Sequence, residues 1–253
     1  MRPARLPRLA PLLAACALAA GCASVPSGVA VPSPTDPWEA WNRKVYAFND
    51  TIDRAVLKPV AQTYRDVVPE LLRTGVSNFF GNISDVWSTA NHFLQGKVGT
   101  GFEMGMRVLT NTLFGLGGVL DPATELKLPK RSEDFGQTLG VWGLPAGPYI
   151  VLPLLGPSSL RDAAGLPLDR YATMTSHVVQ AEEWALSALQ LVNVRSELLA
   201  TTKLVGDVSL DPYVFVRDAY LARRLDLVYD GAPPLEKFED EGADPPPPPK
   251  KGN

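Results

Sequence analysis

The segment DPWEAWNRKVYAFNDTIDRAV, residues 36–56, sets the fold class. Asp36 suits a helix N-cap, Pro37 the first turn, and Glu39 the reciprocal position of a capping box, so a helix is expected to start here. Trp38, Trp41, Val45, Phe48, Ile52 and Val56 follow at spacings of three and four, which gives one apolar stripe. Arg43, Asp50 and Arg54 fall on the opposite face, and Lys58-Pro59 is expected to end the helix. Asn42, Asn49 and Asp53 form a polar seam along the border of the stripe. Side chains in such a seam either hydrogen-bond to neighbouring helices or face a wet channel.

The same periodicity continues down the chain. Pro69 opens a second helix with Leu71, Leu72, Val76, Phe79 and Phe80; Gly81-Asn82 is expected to break it before Ile83, Val86, Trp87, Ala90 and Leu94, and Gly96 is a C-terminal stop. Phe102, Met106, Leu109 and Leu113 mark a third helix, ending in Gly115-Leu116-Gly117-Gly118. Residues 178–205 carry a long amphipathic pattern, with Trp184, Leu191 and Leu198 seven apart. Asp211-Pro212 repeats the cap signal of Asp36-Pro37 ahead of Val214, Leu221, Leu225 and Val228, opposed by Arg217, Arg223 and Arg224. No alternating segment is long enough to require a sheet, so the expected class is all-α.

Residues 135–160 contain no charged side chain. That length would suit a membrane span, but Gly136, Gly140, Gly143, Pro145, Gly147, Pro148, Pro153, Gly156 and Pro157 cannot occupy one straight lipid-exposed helix, because each proline removes a donor and kinks the axis. Irregular backbone at membrane depth survives only inside protein or along a cavity. The segment is therefore either plain core or part of a lipid-accessible passage.

At the N-terminus Arg2, Arg5 and Arg8 precede a short apolar run that ends in Leu18-Ala19-Ala20-Gly21-Cys22. This arrangement resembles an export signal followed by a lipobox, so residues 1–21 are expected to be removed and Cys22 acylated. Each buried methylene adds about 0.8 kcal/mol, and several acyl chains make dissociation negligible. Cys16 leaves with the signal, which precludes a disulfide or a cysteine metal site in the mature chain. Residues 22–35 read as a lipidated tether, 36–230 as the helical body, and 231–253, with five consecutive prolines, as an extended tail. The formal net charge of −3 becomes more acidic once three arginines are lost, and no basic cluster fits a nucleic-acid partner.

Enzymatic signals are weak. His92 and His177 each stand alone on a helical pattern, too few for metal ligation, and no cofactor is implied. Gly156-Pro157-Ser158-Ser159 lacks the second glycine and strand context of a nucleophile elbow. The glycines at 115–118 have no preceding strand and no following Gly-Lys-Ser/Thr, so they are not a phosphate loop. Arg161-Asp162 reads as a structural ion pair or cap.

Asp36-Pro37-Trp38-Glu39, Asn42-Arg43, Phe48-Asn49, Asp53, Arg73, Asn78-Phe79, Asn82 and Leu94-Gln95 occur in an order that resembles the MlaA (VacJ) family of outer-membrane lipoproteins. Asp134-Phe135-Gly136-Gln137-Thr138-Leu139-Gly140, Trp142-Gly143, Gly147-Pro148-Tyr149, Leu160-Arg161-Asp162 and Asp211-Pro212-Tyr213 with Arg217 and Tyr220 extend the likeness across nearly the whole body. The resemblance implies a ring of amphipathic helices in the periplasmic leaflet of the outer membrane, often beside a porin. It also implies a channel that removes misplaced phospholipid from the outer leaflet and hands it to a soluble periplasmic carrier (MlaC-like), serving an inner-membrane ABC transporter. On that reading Asn42, Asn49 and Asp53 are candidates for the polar wall, and Gly140, Gly143, Gly147, Pro148, Pro153 and Gly156 for a flexible rim. The alternative is a scaffold lipoprotein that recruits envelope partners without moving lipid.

Overall fold

The computed structural model describes residues 35–173 and 183–234. Cys22, His177, nearly all of the expected tether and most of the Pro-rich tail lie outside the described residues. The first helix, α1, runs Glu39–Ile52, and its N-cap Trp38 makes no side-chain cap bond. Asp36 is therefore not the cap expected of it; it is fully buried and bonded to distant residues described below. Nor does Lys58-Pro59 end the helix. A π-helical turn at Asp53–Leu57 carries the chain into α2, Lys58–Val67, with the Lys58 N–H bonded to the Asp53 carbonyl five residues back. The widened turn accommodates a proline that lacks a donor and would crowd the carbonyl four residues earlier.

Helix α3 spans Glu70–Leu94 without the expected break at Gly81-Asn82. A Cβ on Gly81 would lie 2.8 Å from the Lys130 ammonium, and the Asn82 amide donates to the Thr112 hydroxyl at 3.0 Å, so the pair serves close packing. Gly96, at φ +75°, turns the chain into α4, Val98–Phe114, as expected of a glycine stop. After a short α5, Pro122–Glu125, comes α6, Phe135–Val141, where the Asp134 carboxylate caps the Gln137 N–H.

The uncharged stretch holds the only strands among the described residues. Strands β1, Tyr149–Leu152, and β2, Gly156–Ser159, pair antiparallel from Tyr149↔Ser159 to Leu152↔Gly156. Four residues per strand, with Gly156-Pro157 opening the second, are too few for a legible alternation. Ser159 then caps α7, Leu160–Ala172. The long helix expected over 178–205 is divided into α8, Glu183–Glu197, and α9, Leu199–Val208. Asp211 caps α10, Pro212–Val228, by accepting from the Tyr213 and Val214 N–H groups, as its sequence predicts.

Contacts between elements run from α1 to β1, across the hairpin to α10, then through α6, α3, α8 and α2 to the π-turn and back to α1; α4 packs along α3. Among the described residues the apolar cluster that joins these elements is small, formed by Val45, Tyr149, Val151 and Tyr213 and flanked by Tyr46, Val214, Tyr220 and Leu221. Close approach at α6 depends on glycine: a Cβ on Gly136 would sit 2.6 Å from the Asp162 carboxylate and 2.9 Å from the Arg224 guanidinium. Gly136→Ala should therefore cost roughly 2 kcal/mol or more by overpacking. Gly99→Ala, with nothing within 4 Å of the added methyl, should be neutral or stabilising by up to about 1 kcal/mol. Denaturant unfolding in detergent compares the two, and equal effects would contradict this packing.

Candidate functional site

The side-chain distribution is inverted. Among the described residues the buried set contains more polar and charged side chains than apolar ones, whereas large apolar side chains crowd the surface. On α4, Phe102, Met106, Leu109 and Leu113 face outward, while Arg107, Thr110 and Asn111 are buried. Helix α3 turns Asn82, Asp85, Ser88, Asn91 and His92 inward and leaves Leu71, Leu72, Val86 and Phe93 exposed. On α1 the aromatic stripe is exposed at Trp38, Trp41 and Phe48, and only Val45 enters the core. A surface of this kind is poorly matched to water and marks an interface with lipid or protein. No helix among the described residues is long and apolar enough to cross a membrane.

Polar side chains join the elements. The Asn42 amide donates to the Asp36 carboxylate at 2.8 Å and to the Tyr149 carbonyl at 3.1 Å, and its oxygen accepts from the Val151 N–H at 2.9 Å. Asn49 does the same two turns on, donating to the Leu152 carbonyl at 3.0 Å and accepting from the Leu154 N–H at 2.8 Å. Two of the three expected wall residues thus clamp the hairpin to α1. Asp53 is brought instead against α8, where Arg195 grips both carboxylate oxygens at 2.6 and 2.8 Å. Tyr213 donates to Asp36 at 2.5 Å, and Arg217 approaches the same carboxylate at 3.4 Å, tying α10 to the start of the body.

Of the expected rim residues, the structure brings Gly147, Pro148, Pro153 and Gly156 together on the hairpin and its flanks. Gly147 and Gly156 adopt φ values of +69° and +84°, which only glycine adopts freely. Gly143, at φ +95°, closes the turn after α6. Gly140 lies apart, inside α6, where a Cβ would meet the Arg161 guanidinium at 2.7 Å.

A second polar centre was hidden in the sequence. Arg224 donates to both oxygens of Asp134, at 2.5 and 2.9 Å, and to Asp162 at 2.9 Å, while the Tyr220 hydroxyl donates to Asp162 at 2.6 Å. Arg161 also pairs with Asp162 at 3.0 Å, in keeping with its reading as a structural ion pair. Burial alone would raise Asp134 and Asp162, but the bonds and charge of Arg224 outweigh it and hold both below the ordinary carboxylate range. Between α3, α4 and α5, Arg107 donates to Asp121 at 2.5 Å and to the Leu128 carbonyl at 2.8 Å, and approaches Asp85 at 3.5 Å. Asp85 is raised, chiefly by burial, with Lys130 and Arg107 acting against it. The sequence pattern put Arg224 on the face opposite the apolar stripe and passed over Asp85 and Arg107; single charges inside apolar helices were the available signal.

This chemistry is structural. His92 is buried with one ring nitrogen 3.1 Å from the Thr100 hydroxyl and the other 3.1 Å from the Arg131 carbonyl. The Ser158 hydroxyl donates to the Ser159 carbonyl, and Ser159 caps α7. No group of three or more His, Cys, Asp or Glu among the described residues is placed to hold a metal ion.

Asn42→Leu should cost about 3 kcal/mol, because it strands an N–H, a carbonyl and a carboxylate. Arg224→Met should cost roughly 2–3 kcal/mol, because Asp134, with 34% of its side chain exposed, loses its cation, whereas Asp162 keeps Arg161 and Tyr220. Since the folded values of Asp134 and Asp162 are lowered, their contribution is complete above about pH 4, where an unfolded Asp ionises, and is lost as pH falls through the folded values. Asp85 and Asp169, raised mainly by burial, act in the opposite sense. The difference between wild type and Arg224→Met should therefore shrink below pH 4; a pH-independent difference in unfolding free energy would refute the assignment.

Residues 34–226 match the family model described as MlaA lipoprotein. The "Intermembrane phospholipid transport system lipoprotein MlaA" of Escherichia coli (strain K12) is 37% identical over 229 residues, covering 88% of this chain and 89% of that protein. The Haemophilus influenzae protein of the same name is 33% identical over 229 residues, covering 88% and 90%. A solved chain from "Structural basis for maintenance of bacterial outer membrane lipid asymmetry" superposes with a TM-score of 0.68 at 36% identity, covering 76% of this chain and 98% of that one. With most of its length matched to the family model and to relatives above 30% identity, this chain belongs to the MlaA lipoprotein family.

Proposed function

We propose that this protein is an outer-membrane lipoprotein of the phospholipid transport system that maintains lipid asymmetry, acting as a conduit and not as an enzyme. The observation that carries the reading is the inverted body: apolar stripes outside, charged and amide side chains inside and paired with one another. Such a body suits the periplasmic leaflet, where lipid covers the stripes and no helix needs to span the bilayer. The signal at 1–21, acylation at Cys22, a tether over 22–35, the body at 36–230 and a tail at 231–253 complete the topology.

The closed sequence of element contacts supports a ring of helices. In this ring a phospholipid headgroup would follow a polar path while acyl tails stay in apolar surroundings, since an unsolvated charge in hydrocarbon costs several kcal/mol. Asn49 and Asp53, both partly exposed, border that path, and Asn42 acts from behind it by fixing β1. Gly143, Gly147, Pro148, Pro153 and Gly156 form its rim, with Gly140 packed behind it against Arg161 and Val228. The ring stands beside a porin, takes mislocalised phospholipid from the outer leaflet, and hands it to a soluble periplasmic carrier feeding an ABC transporter.

Three measurements test this. Cys22→Ala, exported with an ordinary cleavable signal, should still require detergent for extraction; release into the soluble periplasm would favour a scaffold. Deleting the gene should raise outer-leaflet phospholipid, measured by enzymatic accessibility at the cell surface, and an unchanged level would remove the transport reading. Phe102→Asp with Leu109→Asp should weaken membrane retention of the unacylated form, since each charge carries a penalty of roughly 2–3 kcal/mol in hydrocarbon.

A further inference from the structure

Helices α2 and α8 pack together and leave an open groove of about 500 Å³ between them. Its walls are mostly apolar, formed by Pro59, Val60, Val67, Val68 and Val192, with Thr63 and Tyr64 completing them. Arg73 stands at the Val68 end, half-buried, and donates Nε to the Val68 carbonyl at 3.1 Å. That bond orients the guanidinium, and no ion pair or hydrogen bond of its two terminal nitrogens occurs among the described residues. Nearby arginines differ: Arg65 pairs with Asp66, and Arg195 with Asp53. Glu197, the acidic group facing Tyr64 from α8, is engaged by Ser77 and Asn193 and does not pair with Arg73.

An oriented, unpaired guanidinium at the end of an apolar trough is complementary to an amphiphile with an anionic head and a hydrocarbon tail. We propose that this groove is a phospholipid-binding site, with one acyl chain lying along Val60, Val67 and Val192 and the phosphodiester held by the free Nη1 and Nη2 of Arg73. The volume falls within the roughly 300–1,000 Å³ usual for ligand sites, and a guanidinium matches two phosphate oxygens better than an ammonium does. The proposal rests on the reading of the protein as a phospholipid conduit and adds a site on the α2–α8 side of the body.

The test uses the full lipidated chain in detergent with a benzophenone amino acid in place of Val60 and palmitoyl-oleoyl phosphatidylglycerol as probe. Irradiation should attach the phospholipid at that position. At subsaturating lipid, Arg73→Gln should lower the yield about tenfold, the loss expected for a charge-assisted bond, and Arg73→Lys should restore part of it. Val67→Asp, at a residue 74% exposed and so not needed for the core, should lower attachment of both the phospholipid and palmitoyl-oleoyl glycerol, which lacks phosphate. Wild-type yields in Arg73→Gln or Val67→Asp would overturn the site. Competition by inorganic phosphate with no effect of Val67→Asp would show an anion site only, and would also overturn it. Outer-leaflet phospholipid in the deletion strain reads the transport function separately, so either result can fail while the other stands.

Discussion

Three bonds from one buried amide, Asn42 to Asp36, to the Tyr149 carbonyl and from the Val151 N–H, show the constraint under which this body is built. Polar groups taken inside must satisfy one another, because the apolar surface that would ordinarily drive compaction has been turned outward. With so few apolar side chains inside among the described residues, hydrogen bonds between elements, worth roughly 1 kcal/mol each, supply the adhesion and the register. The same device recurs along the chain of contacts: Asp53 with Arg195, Tyr64 with Asn193, Thr138 with Asn91, and Arg224 with Asp134 and Asp162.

Glycine makes these bonds reachable. Gly136 and Gly140 lie one helical turn apart on α6 and leave room for the guanidinium groups of Arg224 and Arg161. A side chain at either place would hold α6 away from α7 and α10 and leave the carboxylates without their partners. Gly118, at φ +94° and against Asn82, plays the corresponding part after α4. The glycine-rich character of the chain therefore serves contact geometry more than flexibility, and the hairpin glycines at positive φ are a separate use of the same residue.

Helix periods, the Gly96 stop and the Asp211 cap were legible because they depend on neighbours three or four residues apart. The continuation of α1 through Pro59 was not, since it turns on a π-helical turn that local patterning opposes. Asp36-Pro37 and Asp211-Pro212 carry the same local signal, yet only the second caps a helix; the first is captured by Asn42, Tyr213 and Arg217. The seam of Asn42, Asn49 and Asp53 was visible as a seam, but each of the three has a partner more than a hundred residues away.

By itself the sequence determined the helical class, the family, and the amphipathic stripes, because spacing and composition are local properties written directly in residue order. Which side of each stripe faces inward was decided only in the tertiary structure. A period of 3.6 residues separates apolar from polar without naming the solvent, and the buried Asp85 and Arg107, like the half-buried Asp134 and Arg224, found their place through partners that only the assembled body brings together.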